Sequence, residues 1–317
     1  MPTVHGTRGQ QLTQREETSM QIMNLVGAVS GLAPRSLART VAAAALAVLS
    51  TAHAAEPAPA LYNTVIEKLA RGEQVVGGTV STADLNVYCA MASAGFDFLW
   101  IEMQHSSLTY QEVATMIRAC PGPAIPFIRV PDGTEGDIQK AVDIGALGII
   151  VPMVDTLEKI QNAITFANYP PLGKRSQGGG QYGALWGRNY RQTANDNIMM
   201  VAMIENPAGA EIVDQIAALD DVDVVFVASS DLSSFTGLRQ GDPQYEALVT
   251  KIKDATLKAG KYVAGPSAWK GTREGYSFFQ GPPETALIQS GARLSLRGEA
   301  DDGQPRGVAP MEGSEGR

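Results

Sequence analysis

The chain has 317 residues, 44% of them hydrophobic and 18% charged, with a formal net charge of -8. That much apolar material can build a substantial core, which excludes a wholly disordered chain. The acidic balance has no offsetting cluster of Lys and Arg. It excludes a nucleic-acid or anionic-membrane surface and leaves a small molecule as the expected ligand.

Arg35 and Arg39 precede a short apolar run, residues 41–49, followed by Ala52-His53-Ala54. This is the layout of a secretory signal peptide cleaved near Ala54, and the run is too short for a permanent transmembrane helix. Residues 1–54 are therefore read as a leader, with Met20 or Met23 as alternative starts. The mature protein is expected to be periplasmic or secreted and free of the membrane. Four arginines and two glutamates leave with the leader, taking the net charge from -8 to -10, and the loss of His5 and His53 makes His105 the sole histidine. Cys89 and Cys120 stay in the mature chain. In an oxidising compartment they fit a disulfide or two buried thiols equally well.

Residues 55–73 read as a linker, rich in Pro and Ala at its start, and an N-terminal helix; residues 74–297 read as one domain. Short β-branched runs at 74–80, 96–103, 124–130, 148–154, 199–205, 222–228 and 261–265 predict strands. Helical patterns fall between them at 84–94, 110–119, 135–144, 157–168, 209–218 and 243–259. This alternation builds a parallel sheet whose near-continuous apolar strands are covered on both faces. No Gly-x-Gly-x-x-Gly follows the first strand, and Gly178-Gly179-Gly180 follows no predicted strand and opens no predicted helix, so a dinucleotide fold is disfavoured. Glu102, His105, Arg129, Glu205 and Asp231 all fall at or just past strand C-termini, which converge on one mouth in a (β/α)8 TIM barrel. An eighth strand is expected at 292–297. No eighth helix is recognisable, and the Gly-, Pro- and acid-rich stretch 298–317 is expected to be a disordered tail.

Glu205 and Asp231 end neighbouring strands, and two carboxylates with open positions suit a hard divalent cation with oxygen ligands. Spacing leaves other roles open: Asp231 could cap a helix, and Glu205 could be an ordinary loop acid. Arg129 ends an apolar strand, so its guanidinium needs an anionic partner such as a carboxylate or an enolate oxygen. His105, on a Gln-His-Ser-Ser loop, fits a general base. Asp143, at a helix end that the dipole makes unfavourable for an acid, is placed to orient that imidazole.

The segment Phe96 to His105, with Arg129-Val130-Pro131, Asp143-Ile144-Gly145-Ala146 and Val151-Pro152-Met153-Val154, resembles the HpcH/HpaI aldolase family. Tyr169-Pro170-Pro171-Leu172-Gly173-Lys174-Arg175, Ile204-Glu205 and Ser230-Asp231-Leu232-Ser233 continue the resemblance in order, from about Val75 to Gly291. It implies a TIM barrel of the phosphoenolpyruvate/pyruvate type and a class II aldolase that cleaves a 4-hydroxy-2-oxo acid to pyruvate and an aldehyde. It further implies a divalent cation (Mg²⁺, Mn²⁺ or Co²⁺) on Glu205 and Asp231, with Arg129 stabilising the enolate and His105, paired with Asp143, moving the proton. Ser229 and Ser230 would join Arg129 in binding substrate. The chain departs from the family pattern at Glu102 and Gln104, where Asp and Glu are usual, at Met203, where many members carry glutamine, and at Ala228-Ser229-Ser230. Members assemble as hexamers that exchange their last helix. A homo-oligomer is thus implied, and the unrecognised last helix counts against it. The competing readings are a non-catalytic periplasmic binder of small 2-oxo acids and a lyase of the citrate lyase β type, whose thioester substrate is scarce outside the cytoplasm.

Overall fold

Apolar runs buried on both faces need helices over them, and the computed structural model, which describes residues 61–298, meets that need by closing the sheet. The expected leader over 1–54 and the tail beyond Gly298 lie outside the described residues. The strands are β1 (Val75–Val80), β2 (Phe98–Glu102), β3 (Ile125–Arg129), β4 (Gly148–Val151), β5 (Met199–Ile204), β6 (Val224–Val227), β7 (Tyr262–Pro266) and β8 (Tyr276–Pro283). Among the described residues they form one closed barrel, each strand parallel to its neighbours, with β8 pairing back to β1.

Helix α1 (Thr64–Ala70) precedes the barrel, and its cap Asn63 ties it to Leu147 and Asn197 near the strand N-termini. The crossover helices α2 (Leu85–Ser93), α3 (Tyr110–Ala119), α4 (Glu135–Asp143) and α5 (Leu157–Ala167) start at Asp84, Thr109, Thr134 and Thr156, whose side chains accept first-turn N–H groups. Thr109 and Glu112 complete a capping box. The predicted helix over 209–218 is two shorter ones, α8 (Pro207–Glu211) and α9 (Val213–Ala217). Two further helices, α6 (Tyr182–Trp186) and α7 (Tyr190–Asn197), occupy the excursion before β5. Gly178-Gly179-Gly180 therefore leads into a short helix that sequence periodicity does not reveal. After β6 come α10 (Ser229–Thr236) and α11 (Pro243–Lys258); only a 3-10 turn, Ser267–Trp269, separates β7 from β8.

The barrel interior is filled in layers. Phe98, Phe127 and Phe278 meet with ring centroids 4.3–5.6 Å apart. Glycine is required beside them: a Cβ on Gly77 would lie 2.1 Å from Phe98, and one on Gly148 would lie 1.9 Å from Phe127. The next layer holds Trp100 against Phe226 at 5.1 Å. Because inward positions recur every second residue, the layer above brings Glu102 and Arg129 to the strand ends.

The expected eighth strand over 292–297 is corrected: those residues lie in α12 (Glu284–Arg297), and the eighth strand is β8. The eighth helix, expected to be missing, is present. The alternation Leu294-Ser295-Leu296 imitates a strand, yet Leu287, Gly291 and Leu294 follow helical spacing. Gly281, Pro282 and Pro283 masked β8, where the two prolines occupy the exposed end.

Cys89 on α2 and Cys120 just after α3 form a disulfide with Cα atoms 5.4 Å apart. Closing a loop across 31 positions contributes about 3–4 kcal/mol by restricting the unfolded chain.

Candidate active site

The mouth is assembled from strand ends. Arg129 closes β3 and Glu102 closes β2, paired in register. Arg129 Nε lies 2.7 Å from Glu102 Oε2. The Nε–H does not point along that line, so the contact is one of charges rather than a directed hydrogen bond. Trp100 Nε1 donates to Glu102 Oε2, and the backbone N–H groups of Gln104 and His105 donate to Oε1 at 2.8 and 3.0 Å. Glu102 thus both neutralises the arginine and shapes the loop carrying His105. A nearly buried pair, 7% and 6% exposed, keeps its charges only with such support.

Arg129 Nη1 faces Met203 Sδ at 3.8 Å, and its guanidinium lies over the Trp100 ring. A thioether is a weak acceptor, so that end of the guanidinium retains capacity for a stronger anionic partner. His105 is exposed, and its imidazole makes no hydrogen bond or ion pair among the described residues. The side-chain Oε1 of Gln104 is buried without a partner.

Glu205 follows β5 and is 2% exposed. Its Oε2 accepts a short hydrogen bond from Met153 N–H. Met153 takes a left-handed backbone, φ 51°, uncommon for a residue with a Cβ. Burial pushes the Glu205 carboxyl up to about 7; the charge of Asp231 adds to the rise, while the Met153 N–H and Arg129 oppose it. Asp231 is in the first turn of α10, whose cap residue Ala228 supplies no side-chain bond. Ser229, buried, and Ser230, exposed, open the same turn.

Asp143 does not join this group, which corrects its expected pairing with His105. It ends α4, and a crossover helix runs back against the strands, so its last residue lies at the end of the barrel away from the mouth. There its Oδ1 meets Arg175 Nη2 at 2.7 Å. Arg175 also donates to Tyr190 and packs on the faces of Tyr169, Tyr182 and Tyr190. That cation is the compensating partner an acid at a helix C-terminus needs.

Across the mouth, sequence reasoning missed a polar wall on β1 and β8. Thr79 Oγ1 donates to Gly281 O, and Gln280 Nε2 approaches Thr79 Oγ1 at 3.4 Å. Glu284 Oε1 accepts from the Ser81 backbone N–H at 2.9 Å and from Ser81 Oγ at 3.0 Å. The one sequence signal was an acid directly after Pro282-Pro283.

The model of the HpcH/HpaI aldolase/citrate lyase family matches residues 80–265, more than half of the chain and all of the strand ends carrying Glu102, Arg129, Glu205 and Asp231. The chain belongs to the HpcH/HpaI aldolase/citrate lyase family. It is 32% identical to a 2-keto-3-deoxy-L-rhamnonate aldolase of Klebsiella pneumoniae subsp. pneumoniae over 207 residues, 63% of this chain and 78% of that protein. Among solved structures it is similar to an HpcH/HpaI aldolase/citrate lyase family protein from Burkholderia cenocepacia J2315, with TM-score 0.69 and 27% identity over 74% of this chain and 98% of that one. A citrate synthase, SbnG, is similar at TM-score 0.62 and 27% identity, again over 74% of this chain and 98% of that one.

HpcH/HpaI proteins typically depend on a divalent metal. Among the described residues no group of three or more His, Cys, Asp or Glu is arranged to hold a metal ion. The residues of this member still fit one. Buried Glu205 and half-buried Asp231 repel each other and supply carboxylate oxygens, the donor type that suits a hard divalent cation. A set of two oxygen ligands leaves the remaining positions to water and substrate.

Proposed function

We propose that this HpcH/HpaI member is a divalent-metal-dependent lyase that cleaves a 4-hydroxy-2-oxo acid into pyruvate and an aldehyde. The observation that carries this reading is the convergence of Glu205, Asp231 and the half-satisfied Arg129 on one mouth. Glu205 and Asp231 would hold Mg²⁺, Mn²⁺ or Co²⁺, which when bound supplies a fixed positive charge for the carboxylate and 2-oxo oxygens of the substrate. Arg129 offers a second fixed charge where electrons collect as the C3–C4 bond breaks, so it stabilises the transition state more than the neutral ketone. His105, alone and exposed beside this group, takes the 4-hydroxyl proton, directly or through a water, as the aldehyde departs. C3 then regains a proton to give pyruvate. Ser229 and Ser230 line the approach beside Asp231.

Pyruvate release from a 4-hydroxy-2-oxo acid, measured with Mg²⁺, Mn²⁺ or Co²⁺ and against a chelated control, tests the proposal. Release is expected only with metal. His105→Ala is expected to keep the metal and lower kcat by about 10²–10⁴. The absence of a carboxylate partner on the His105 imidazole favours, as a second reading, a binder of 2-oxo acids. Pyruvate that binds but is never released, regardless of His105, would establish that reading instead.

The same proposal places the protein in the periplasm or outside the cell, as a homo-oligomer. The Cys89–Cys120 disulfide supports an oxidising compartment. Ile288, Leu294 and Leu296, all exposed on α12, support burial of that helix against another copy of the chain. Among the described residues no helix is long and apolar enough to cross a membrane. Native mass spectrometry of exported protein is expected to show a multiple of a chain that begins after Ala54 and is two hydrogens short of its dithiol mass. A monomer, an intact leader or a free dithiol would each count against the corresponding part.

A further inference from the structure

Among the described residues Met153 is the one residue other than glycine with a left-handed backbone, φ 51°. A Cβ crowds the following carbonyl oxygen there, so the conformation persists only where the surroundings impose it. Here they act from both sides. Pro152 fixes its own φ and has no N–H to extend the β4 ladder. Val154, 1% exposed, donates its backbone N–H to Met203 O at 3.1 Å. Its carbonyl oxygen lies so close to α8 that a Cβ on Gly209 would stand 2.4 Å from it. Gly209 is held in turn by Asn206 Oδ1, which accepts its N–H at 2.9 Å. The turned peptide puts the Met153 N–H on Glu205 Oε2, the only hydrogen bond that this carboxylate accepts among the described residues.

We infer that Met153 is a positioning residue for Glu205: its left-handed backbone, rather than its side chain, aims the N–H that occupies Oε2 and leaves the other carboxylate oxygen for a cation. The inference rests on the metal-dependent reading of Glu205 and adds the device that holds this ligand ready. A carboxylate with both oxygens free turns about its terminal bond and must be ordered when a cation arrives. A donor already fixed on one oxygen removes that freedom beforehand. The left-handed geometry also separates two roles for residue 153. A role for the thioether would require methionine. A role for the backbone requires only that the residue accept a positive φ, which asparagine does readily and a β-branched residue strongly resists.

Mn²⁺ titrations of the metal-free full-length protein, read by calorimetry, rank the unaltered protein against Met153→Asn and Met153→Val. Asparagine is expected to hold the Mn²⁺ Kd within about threefold, and valine to raise it about tenfold or more, the worth of a hydrogen bond to a charged group. In protein labelled with ¹⁵N-methionine, the Met153 amide proton is expected to resonate downfield and to move upfield in Glu205→Gln, where the acceptor loses its charge. This second measurement does not depend on whether the valine variant folds. An unchanged Kd in Met153→Val, an equal loss in both variants, or an amide proton indifferent to Glu205→Gln overturns the inference. An unaltered protein that binds no Mn²⁺ overturns it together with the metal-dependent lyase reading. The expected order of Kd values without release of pyruvate from a 4-hydroxy-2-oxo acid overturns the lyase reading alone.

Discussion

Glu205→Gln is expected to stabilise the metal-free protein at pH 8 while abolishing metal-dependent turnover. The folded-state carboxyl sits at about 7 against an ordinary 4.5, so the folded chain holds this proton more tightly than the unfolded chain does. For a group shifted in that direction the stabilising contribution is present below pH 4.5 and is lost as pH climbs to 7. A gap of that size corresponds to roughly 3 kcal/mol. Stability of the metal-free protein should therefore fall across that window and stay low above it. The glutamine has no charge to bury and retains an oxygen for the Met153 N–H, so it should flatten the slope. It also halves the charge available to a cation, and losing several kcal/mol of transition-state stabilisation reduces turnover by about 10³ or more. Urea unfolding of both proteins at pH 5 and pH 8, with chelator, reads the first effect. Identical pH slopes would show that Glu205 is not held in the unfavourable charged state, and full turnover by the variant would remove it from the ligand set.

Arg129→Met is expected to cost both stability and activity, and a second substitution should separate the two. Without the guanidinium, Glu102 is a buried carboxylate with only N–H donors around it, and breaking such a pair destabilises by about 3–5 kcal/mol. Adding Glu102→Gln removes the orphaned charge and should recover most of that loss. Turnover should not recover, because the positive charge proposed to face the 2-oxo oxygen is still absent; a deficit of about 10²–10³ in kcat is expected. Denaturant midpoints and pyruvate-release rates for the two single variants and the double variant complete the comparison. If the double variant regains activity along with stability, Arg129 is a structural partner of Glu102 and nothing more.

Much of the site was legible in the sequence because it sits where local pattern and chemistry coincide. An apolar strand ending in Glu or Arg announces a polar group at a barrel mouth, so Glu102, Arg129 and Glu205 could be placed from their own strands. Helix α3 begins and ends at the predicted residues, since an amphipathic stripe after a Thr-x-x-Glu capping box is a local signal. The failures have physical causes too. Asp143 was read from its helix alone, but the helix direction puts it with Arg175 at the other end of the barrel. Residues 292–297 alternate like a strand, and only closure of β8 onto β1 shows that the strand lies earlier and that α12 follows it.

The sequence by itself determined the alternation of strand and helix, the acidic and apolar balance, and which side chains crown the strands. Each of these depends on residues close together in the chain. The tertiary structure alone decided which polar and charged groups meet. Arg129 with Glu102, Asp143 with Arg175, Glu205 with Met153, and Glu284 with Ser81 203 positions away are pairs whose partners come from different elements. The strength of a buried charge depends on how fully its neighbours shield it from water, and that is set only when the barrel closes.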